Sequence, residues 1–438
     1  MAAEGFYGID RAGRNSILLA YFAFFVEAFD AFVPIIALAP AMIFFLPEGQ
    51  SADLEATLFY LTFGITFVGK PIGGILMGYL SDVIGRRKTT IMAIAGFGGC
   101  TILIGLLPGF QHIGYASLVL LLILRFLDGI LLSGQTVSSN PLAMENSPEE
   151  HKGVIGAFIQ SAYPMSFFAL TVVTAIVFHN VSAGGLHSDY VQWGWRIPFF
   201  VGGLFAFLLL IYCVTQVPES KAWKKAETET SPLKGLFQGD NAKSLAHVFL
   251  VMSGAWFAFM STGGAINKML SGHMHVSHGY VTGYLIVSNL IAIFVYLLFG
   301  WIGQKVGRKR LMTITGVFIA TAGIVIYAYG SYLGGTGNSP IWAMILMGLA
   351  YLLALIPWAL VVAYLTEAFP VEVRSTGYGT AFTFSVLIPS FFGFYMDGLS
   401  AFMPYIYTPV VLFFIGGVLL AVGAQVFRVD PHPSRPVG

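Results

Sequence analysis

Long apolar runs alternate with short polar connections along almost the whole chain. Each run of about 20 residues is long enough to cross a hydrocarbon layer about 30 Å thick as a helix. The runs lie near residues 17–39, 57–80, 89–108, 114–139, 153–178, 196–216, 246–268, 280–302, 311–331, 340–364, 376–396 and 405–427. They are too long and too continuous for barrel strands, the other structure that satisfies its backbone hydrogen bonds in lipid. The pattern predicts an all-α membrane protein with twelve spanning helices.

A short polar pattern interrupts the apolar runs twice. GYLSDVIGRRK begins at Gly78, and GWIGQKVGRKR begins at Gly300, which is 222 residues later. A second set of residues keeps that offset: Glu145 and Glu367, Pro148 and Pro370, and Lys152 and Arg374. Two features at one spacing indicate a duplication. We therefore predict two pseudo-symmetric six-helix bundles, residues 1–217 and 246–438, joined by a polar linker at 218–245.

Composition and charge support a membrane location. The chain is 57% hydrophobic and 10% charged, against about 25% charged in an average soluble domain. All 22 Lys and Arg residues except Lys70, Arg125, Arg196 and Lys268 fall on one side of the predicted helices. The positive-inside rule assigns that side to the cytoplasm. We expect a monomer in the bacterial inner (plasma) membrane with both termini cytoplasmic, surrounded by bilayer lipid and without a nucleic-acid partner.

Charged residues inside the apolar runs are the first candidates for function, because each costs several kcal/mol in lipid unless it is paired or hydrated. Glu27 and Asp30 share one face of the first helix, and Arg125 and Asp128 share one face of the fourth. At about 1.5 Å per residue the two pairs reach overlapping depths. We expect them to form a buried cluster if the two helices face each other.

The duplication separates these charges from the repeated ones. At the offset of 222, Glu27, Asp30, Lys70, Arg125 and Asp128 correspond to Phe249, Met252, Ala292, Met347 and Ala350, which are all apolar. We infer that proton chemistry belongs to the N-terminal half. In this hypothesis a proton on Asp30, or shared with Glu27, frees Arg125 to attract an anion or permits closure, while Asp128 orients Arg125. The alternative is a permanent salt-bridge cluster that only holds the helices together.

Candidate substrate contacts are less specific. Lys70 and Arg125 are suited to a carboxylate, but pairing of Lys70 with the buried acids is an equal alternative. Further polar or aromatic candidates are Gln160, Tyr163, Trp256, Asn267, Lys268, Asn289 and Trp358. Each of these, taken alone, is more often a packing or interface residue.

The repeated loops combine an acid, a turn glycine and cations, which is typical of a gate that forms and breaks ion pairs. The gate candidates are Gly78, Asp82, Gly85, Arg86, Arg87, Glu145, Lys152, Gly307, Arg308, Glu367 and Arg374. We expect Asp82 to pair with a cation, or to cap the N-terminus of the helix that follows it, only when the two halves are closed at the cytoplasmic face. The alternative is that the cations only anchor the topology at the lipid headgroups.

These loops resemble the signature loop of the major facilitator superfamily, which follows helix 2 and recurs, weakened, after helix 8. Gln304 stands in the second copy where Asp82 stands in the first. RFLDGI at 125–130 and PES at 218–220 resemble further motifs of that family. FVEAFDAFV on helix 1 and FVGKPIGG on helix 2 look most like its metabolite:proton and sialate or carboxylate:proton symporters. The resemblance implies two bundles that expose a central site alternately to either side.

We therefore expect a proton-coupled symporter that imports a small organic acid. The rivals are a proton-coupled porter for a sugar or zwitterionic osmolyte, an efflux antiporter, and, from a different class, a transporter-like nutrient sensor. No nucleophile and base pair, metal motif or phosphate-binding loop is visible in the sequence. We expect no enzyme activity, no metal and no cofactor, with the proton as the coupling ion.

Overall fold

The computed structural model describes residues 8–50, 52–182, 184–226, 231–266, 268–337 and 339–426. In the first half the long helices are α1 (Arg11–Val33), α2 (Ala52–Ile84), α3 (Arg86–Leu106), α4 (Ala116–Glu145), α5 (Lys152–Gln160 and Ala162–Asn180) and α6 (Arg196–Gln216). In the second half they are α7 (Gly239–Phe259), α8 (His278–Val306), α9 (Arg308–Phe318 and Ile324–Thr336), α10 (Pro340–Glu367), α11 (Arg374–Phe384, Leu387–Ser390 and Phe392–Leu399) and α12 (Thr408–Val426). These twelve helices match the twelve predicted runs and confirm the all-α membrane fold.

Some helices extend beyond their apolar runs into polar residues, such as α2, which continues to Ile84, and α8, which continues to Val306. Eleven helical stretches of the described residues are long and apolar enough to cross a membrane. The remaining long helix, α2, has 33 residues and carries Lys70 among its charges. At its N-terminus, α1 begins at Arg11, and the Asp10 carboxylate caps it by accepting the Gly13 N–H at 2.7 Å.

Helix ends repeat at the offset found in the sequence. Gly85 and Gly307 separate consecutive helices, and both have positive φ angles, 111° and 97°. The helix ends on either side also correspond: α2 ends at Ile84 and α8 at Val306, and α4 ends at Glu145 and α10 at Glu367. The duplication therefore extends from the sequence motifs to the backbone.

The chain forms two compact units. Unit 1 comprises Met1–Asn146, Ala162–Leu233 and Val371–Gly379, and unit 2 comprises Ser147–Ser161, Lys234–Pro370 and Thr380–Gly438. Each unit thus contains most of the six helices of one half of the chain and one short segment from the other half. The predicted domains 1–217 and 246–438 remain a prediction of how the duplicated halves divide.

Glycines bring α2 and α4 of unit 1 into backbone contact. A Cβ on Gly129 would collide with the Thr66 carbonyl, and a Cβ on Gly73 would collide with the Ile130 carbonyl. Small residues allow this approach where no hydrophobic force drives helices together in lipid. The contact fixes the position of α4 beside α2, and Asp128 directly precedes one of the contacting glycines, Gly129.

In unit 2 the positions equivalent to the intramembrane charges form part of the apolar core. Met252, Ala292, Met347 and Ala350 are all buried. Unit 2 therefore keeps the architecture of the duplicated unit without its intramembrane charges.

Candidate proton and substrate site

Unit 1 buries three acids at membrane depth. Glu27 and Asp30 on α1 and Asp128 on α4 are 5%, 1% and 0% exposed, and Arg125 on α4 is 0% exposed. The amine of Lys70 on α2 joins them with a side chain that is 16% exposed. The predicted meeting of the first and fourth helices is therefore present within this unit.

Asp30, Arg125 and Asp128 form one charge cluster. The Arg125 Nη1 donates to Asp128 Oδ2 at 2.8 Å and lies 3.6 Å from Asp30 Oδ2. The other Asp30 oxygen accepts a hydrogen bond from the Thr101 hydroxyl on α3 at 2.7 Å. One guanidinium thus lies between two carboxyl groups, and it is held more closely by Asp128 than by Asp30.

Glu27 belongs to a second pair. Its Oε1 lies 3.2 Å from the Lys70 ammonium, and its Oε2 accepts a short hydrogen bond from the Thr136 hydroxyl on α4. The Lys70 ammonium also lies over the Phe67 ring, 5.5 Å from its centroid. Of the two alternatives for Lys70, pairing with a buried acid is the one that this structure shows.

The buried acids outnumber their cations. Glu27, Asp30 and Asp128 make ion pairs with Lys70 and Arg125 among the described residues. With all five groups ionised, the site carries one uncompensated negative charge. A buried charge without a partner is costly, and one added proton removes it.

Several polar atoms of the cluster have no hydrogen-bond partner in the part of the chain that the structure describes. They are Asp30 Oδ2, Asp128 Oδ1, and Nε and Nη2 of Arg125. Buried polar groups are ordinarily satisfied. The cluster therefore retains the capacity to bind a proton, water or a polar ligand group.

The other substrate candidates are distributed over both units. In unit 1, Tyr163 on α5 contacts the rings of Phe24 and Phe32 on α1, with centroids 6.4 and 5.6 Å apart. Gln160, three residues earlier, is buried in unit 2. The break of α5 at Ser161 therefore separates these two candidates into different units.

Unit 2 contains an aromatic cluster around two of the predicted residues. Trp256 on α7 and Trp358 on α10 pack edge to face with centroids 4.5 Å apart, and Phe259 and Phe382 complete the cluster. The indole N–H groups of both tryptophans are buried without a hydrogen-bond partner among the described residues.

The structure gives less support to the last three candidates for substrate binding. The Lys268 side chain is 58% exposed, with its ammonium 3.8 Å from Asp397 and 4.8 Å from the Tyr405 ring centroid. Asn289 is buried and donates to the Leu285 carbonyl of its own helix at 2.8 Å. Asn267 lies outside the described residues. Roles for these three in substrate binding remain predictions.

The gate residues of unit 1 form a network around the start of α11. Asp82 pairs with Arg86 at 2.6 Å, and its two oxygens accept the backbone N–H groups of Ser375 and Thr376 at 3.1 and 2.8 Å. A Cβ on Gly78 would lie 2.7 Å from the Ser375 carbonyl, so α11 begins directly against the α2 backbone. Asp82 therefore does both things that we expected, but it caps α11 rather than α3.

Glu145 completes this network. Its Oε1 lies 3.3 Å from Arg86 and accepts from Arg374 at 2.9 Å, while its Oε2 accepts a short hydrogen bond from the Ser220 hydroxyl. Together with Asp82, the network contains two acids and two arginines. Its formal charge is balanced, unlike that of the intramembrane cluster.

Unit 2 repeats the gate network, with the neutral Gln304 in the position that Asp82 has in unit 1. Arg308 pairs with Glu367 at 2.7 Å and donates to Gln304 at 2.8 Å, and the same Gln304 oxygen accepts the Gly153 N–H at 2.7 Å. Each of these contacts lies 222 residues from its counterpart in unit 1. Lys152 departs from the repeat, since its ammonium pairs with exposed Glu149 at 2.5 Å.

The family follows from a comparison of the sequence with known families. Residues 20–394 match the model of the Major Facilitator Superfamily. The chain belongs to this superfamily. Its family and relatives are membrane transporters, so the protein is a multi-pass membrane transporter and not an enzyme.

Two relatives align over most of this superfamily member. It is 28% identical to the citrate-proton symporter of Salmonella typhi over 396 residues, covering 86% of this chain and 85% of that protein. It is 27% identical to the inner membrane metabolite transport protein YhjE of Escherichia coli K12, covering 85% and 84%. The solved structure of the proton:xylose symporter XylE of E. coli superposes with a TM-score of 0.73 at 19% identity, covering 94% of each chain, which shows a shared fold.

Sequence reasoning missed several residues that position these groups. Glu219 caps α3 by accepting the Arg87 N–H at 3.0 Å, and the Arg87 guanidinium donates to the Val214 carbonyl at the end of α6. The PES motif contained this signal, but no role followed from it. Thr101 and Thr136 were missed because hydroxyl residues in apolar helices usually bond their own backbone.

Proposed function

We propose that this transporter is a proton-coupled symporter of a small organic acid, working by alternating access. The observation that carries the proposal is the charge excess of unit 1: three buried acids share two cations, while the repeated gate network is balanced. A transporter that couples to protons needs a buried group that gains and loses a proton during the transport cycle. Because the cluster has three carboxyl groups and two cations, one carboxyl group is suited to that role.

Asp30 is the group best suited to carry the proton. Its oxygen is 3.6 Å from Arg125, whereas Asp128 makes a hydrogen bond to the same nitrogen at 2.8 Å. Protonation of Asp30 would leave Arg125 and Asp128 as a neutral pair. Loss of that proton restores the excess charge and favours the conformation in which water reaches the site. The proton is the only coupling ion in this scheme, and no other cofactor takes part.

An anionic substrate fits the cations beside these acids. Lys70 is the most exposed of the five charged groups and is held by one acid, Glu27. A substrate carboxylate can replace Glu27 as the partner of the Lys70 ammonium once that acid is neutralised or moves away. The citrate-proton symporter among the relatives is in line with a carboxylate substrate.

We place the protein in the bacterial inner membrane as a monomer, with both termini cytoplasmic and the gate networks on the cytoplasmic side. The charge distribution of the sequence and the name of the inner membrane relative support this location. Exposure of the site to the cytoplasm requires the Asp82 contacts with α11 to break.

The test is uptake into proteoliposomes with an imposed inward pH gradient. Mono-, di- and aromatic carboxylates, sugars and betaines are compared in wild type, in Lys70→Gln and in Lys243→Gln. Lys243 is exposed and pairs with the exposed Asp240. We expect gradient-driven accumulation of a carboxylate, a rise in KM of at least tenfold in Lys70→Gln, and no change in Lys243→Gln. Accumulation of a neutral sugar, or uptake that ignores the pH gradient, would contradict the proposal.

A second candidate is a proton-coupled porter for a sugar or a zwitterionic osmolyte. The aromatic cluster of Trp256, Trp358, Phe259 and Phe382 favours it, because aromatic faces bind quaternary ammonium groups. In the same screen, betaine uptake that is lost in Trp256→Ala would support this candidate.

A further inference from the structure

A cavity opens at the end of unit 1 where α1 begins and α6 ends, away from the intramembrane acids. Its volume is about 690 Å³, and its wall includes Arg11 and Asn15 of α1, Arg87 of α3, Val214 of α6 and Lys224 of the short helix Lys221–Lys225. Neither the proton site nor the gate network accounts for this cavity.

The cavity wall is basic. Among the described residues of the wall, Arg11, Arg87 and Lys224 contribute three cations and Glu219 contributes one acid. Both Glu219 oxygens are already engaged by the backbone N–H of Arg87, and one of them also accepts the N–H of Ser220. The formal charge of the wall is therefore +2, with its acid directed to the α3 N-terminus.

The arginines of the wall are positioned by the end of α6. Arg87 donates to the Val214 carbonyl at 2.6 Å, and Arg11 donates to the Gln216 side chain at 3.3 Å. The Nε of Arg87 is buried and has no hydrogen-bond partner within the described residues. Asn15, which is buried, donates to the Gln216 backbone carbonyl at 2.8 Å and holds the α1 and α6 ends together.

An apolar face continues from the cavity along α6. Val214 lines the cavity and is 48% exposed, and Leu204, Phe207, Leu208 and Ile211 on the same helix are 46–56% exposed. A soluble phosphate would use the basic wall but not this face. A phospholipid uses both, because its acyl chains lie along the apolar helix while its phosphate reaches the cations.

We propose that this cavity binds an anionic phospholipid, with Arg11, Arg87 and Lys224 around its phosphate and the exposed face of α6 against its acyl chains. The site ties the ends of α1, α3 and α6 together through a lipid of the surrounding leaflet. This inference is independent of the transported substrate.

The test measures the binding of three ligands to the purified protein in detergent. Each ligand is titrated, and the bound fraction is read by native mass spectrometry. The ligands are dihexanoyl phosphatidylglycerol, dihexanoyl phosphatidylcholine and glycerol 3-phosphate. The variant is Arg11→Gln with Lys224→Gln. Its matched control is Arg14→Gln with Lys225→Gln, which removes the same charge from the same two helices outside the cavity wall.

We expect wild type and control to prefer phosphatidylglycerol over phosphatidylcholine. The loss of two cations from the wall should weaken phosphatidylglycerol binding by about 30-fold. Equal losses in variant and control would overturn the proposal, since general surface charge would then explain binding. Glycerol 3-phosphate binding as tightly as phosphatidylglycerol would overturn the lipid assignment in favour of a soluble phosphate. Equal melting temperatures of variant and control without lipid establish that both are folded.

Discussion

At the scale of single residues, the decisive feature is how few cations the buried acids have. Arg125 is 0% exposed and is shared by Asp30 and Asp128. Burying ions is costly, and the cost is offset only while each charge has a partner. A guanidinium shared by two carboxyl groups is therefore sensitive to any change in their protonation. This sensitivity is useful in a transporter and would be a liability in a purely structural salt bridge.

Removal of Arg125 tests how strongly the acids depend on it. Arg125→Met leaves Asp30 and Asp128 buried without their cation, which we expect to cost about 3–5 kcal/mol of stability. Adding Asp128→Asn to this variant should recover part of the loss, since one of the unpaired charges is then gone. Thermal unfolding in detergent measures both effects, with Lys243→Met as an exposed control. Equal losses in the single and double variants would contradict the charge account.

At the scale of helices, the duplicated glycines place the two signature loops. Gly85 and Gly307 have φ/ψ of 111°/154° and 97°/130°, conformations that side chains rarely adopt. Their surroundings differ. A Cβ on Gly85 would collide with the Glu219 carboxylate that caps α3, whereas a Cβ on Gly307 would meet no atom within 4 Å.

The paired substitutions Gly85→Ala and Gly307→Ala separate backbone strain from this collision. Both should destabilise the protein by about 1–3 kcal/mol through strain. Gly85→Ala should cost more, because Glu219 must also leave the α3 N-terminus. Melting temperatures of the two variants in one detergent make the comparison. An equal loss, or a larger one in Gly307→Ala, would contradict the capping role of Glu219.

Much of the helical architecture could be predicted from the sequence. Apolar runs located all twelve helices, and the offset of 222 related the two signature loops to each other, because bilayer thickness and duplication both leave a regular pattern. Which residue each charged side chain contacts could not be predicted from the sequence. That Lys70 pairs with Glu27 rather than Asp128, or that Asp82 caps α11 rather than α3, depends on three-dimensional packing, which apolar periodicity does not encode.

At the scale of the molecule, each unit includes a short segment from the opposite half of the chain. Residues 371–379 belong to unit 1 and residues 147–161 to unit 2. In unit 1 the carboxylate of Asp82 accepts hydrogen bonds from backbone N–H groups of residues 371–379. In unit 2 the neutral side chain of Gln304 accepts one from a backbone N–H group of residues 147–161. Hydrogen bonds to a charged group are the stronger kind. We therefore expect that the hydrogen bonds between Asp82 and α11 must break before the gate opens, and that they determine how readily it does so.

Thiol labelling tests this expectation. In a Cys100→Ala, Cys213→Ala background, Ser375→Cys introduces a thiol at a buried position of the Asp82 contact. Adding Asp82→Ala should raise its labelling rate by a membrane-permeable maleimide about tenfold or more, since a charge-assisted hydrogen bond contributes about 1.5–3 kcal/mol. Asp240→Ala, at an exposed acid, is the control. An unchanged rate in Asp82→Ala would rule out a gating role for this contact.

The central claim is that Asp30 carries the proton that moves with the substrate. The most direct measurement is the internal pH of proteoliposomes, read by a trapped dye after substrate is added outside without an imposed pH gradient. Wild type should acidify the interior as substrate enters. Asp30→Asn should still exchange labelled for unlabelled substrate but should produce no acidification. Acidification by Asp30→Asn at the wild-type rate would contradict the account.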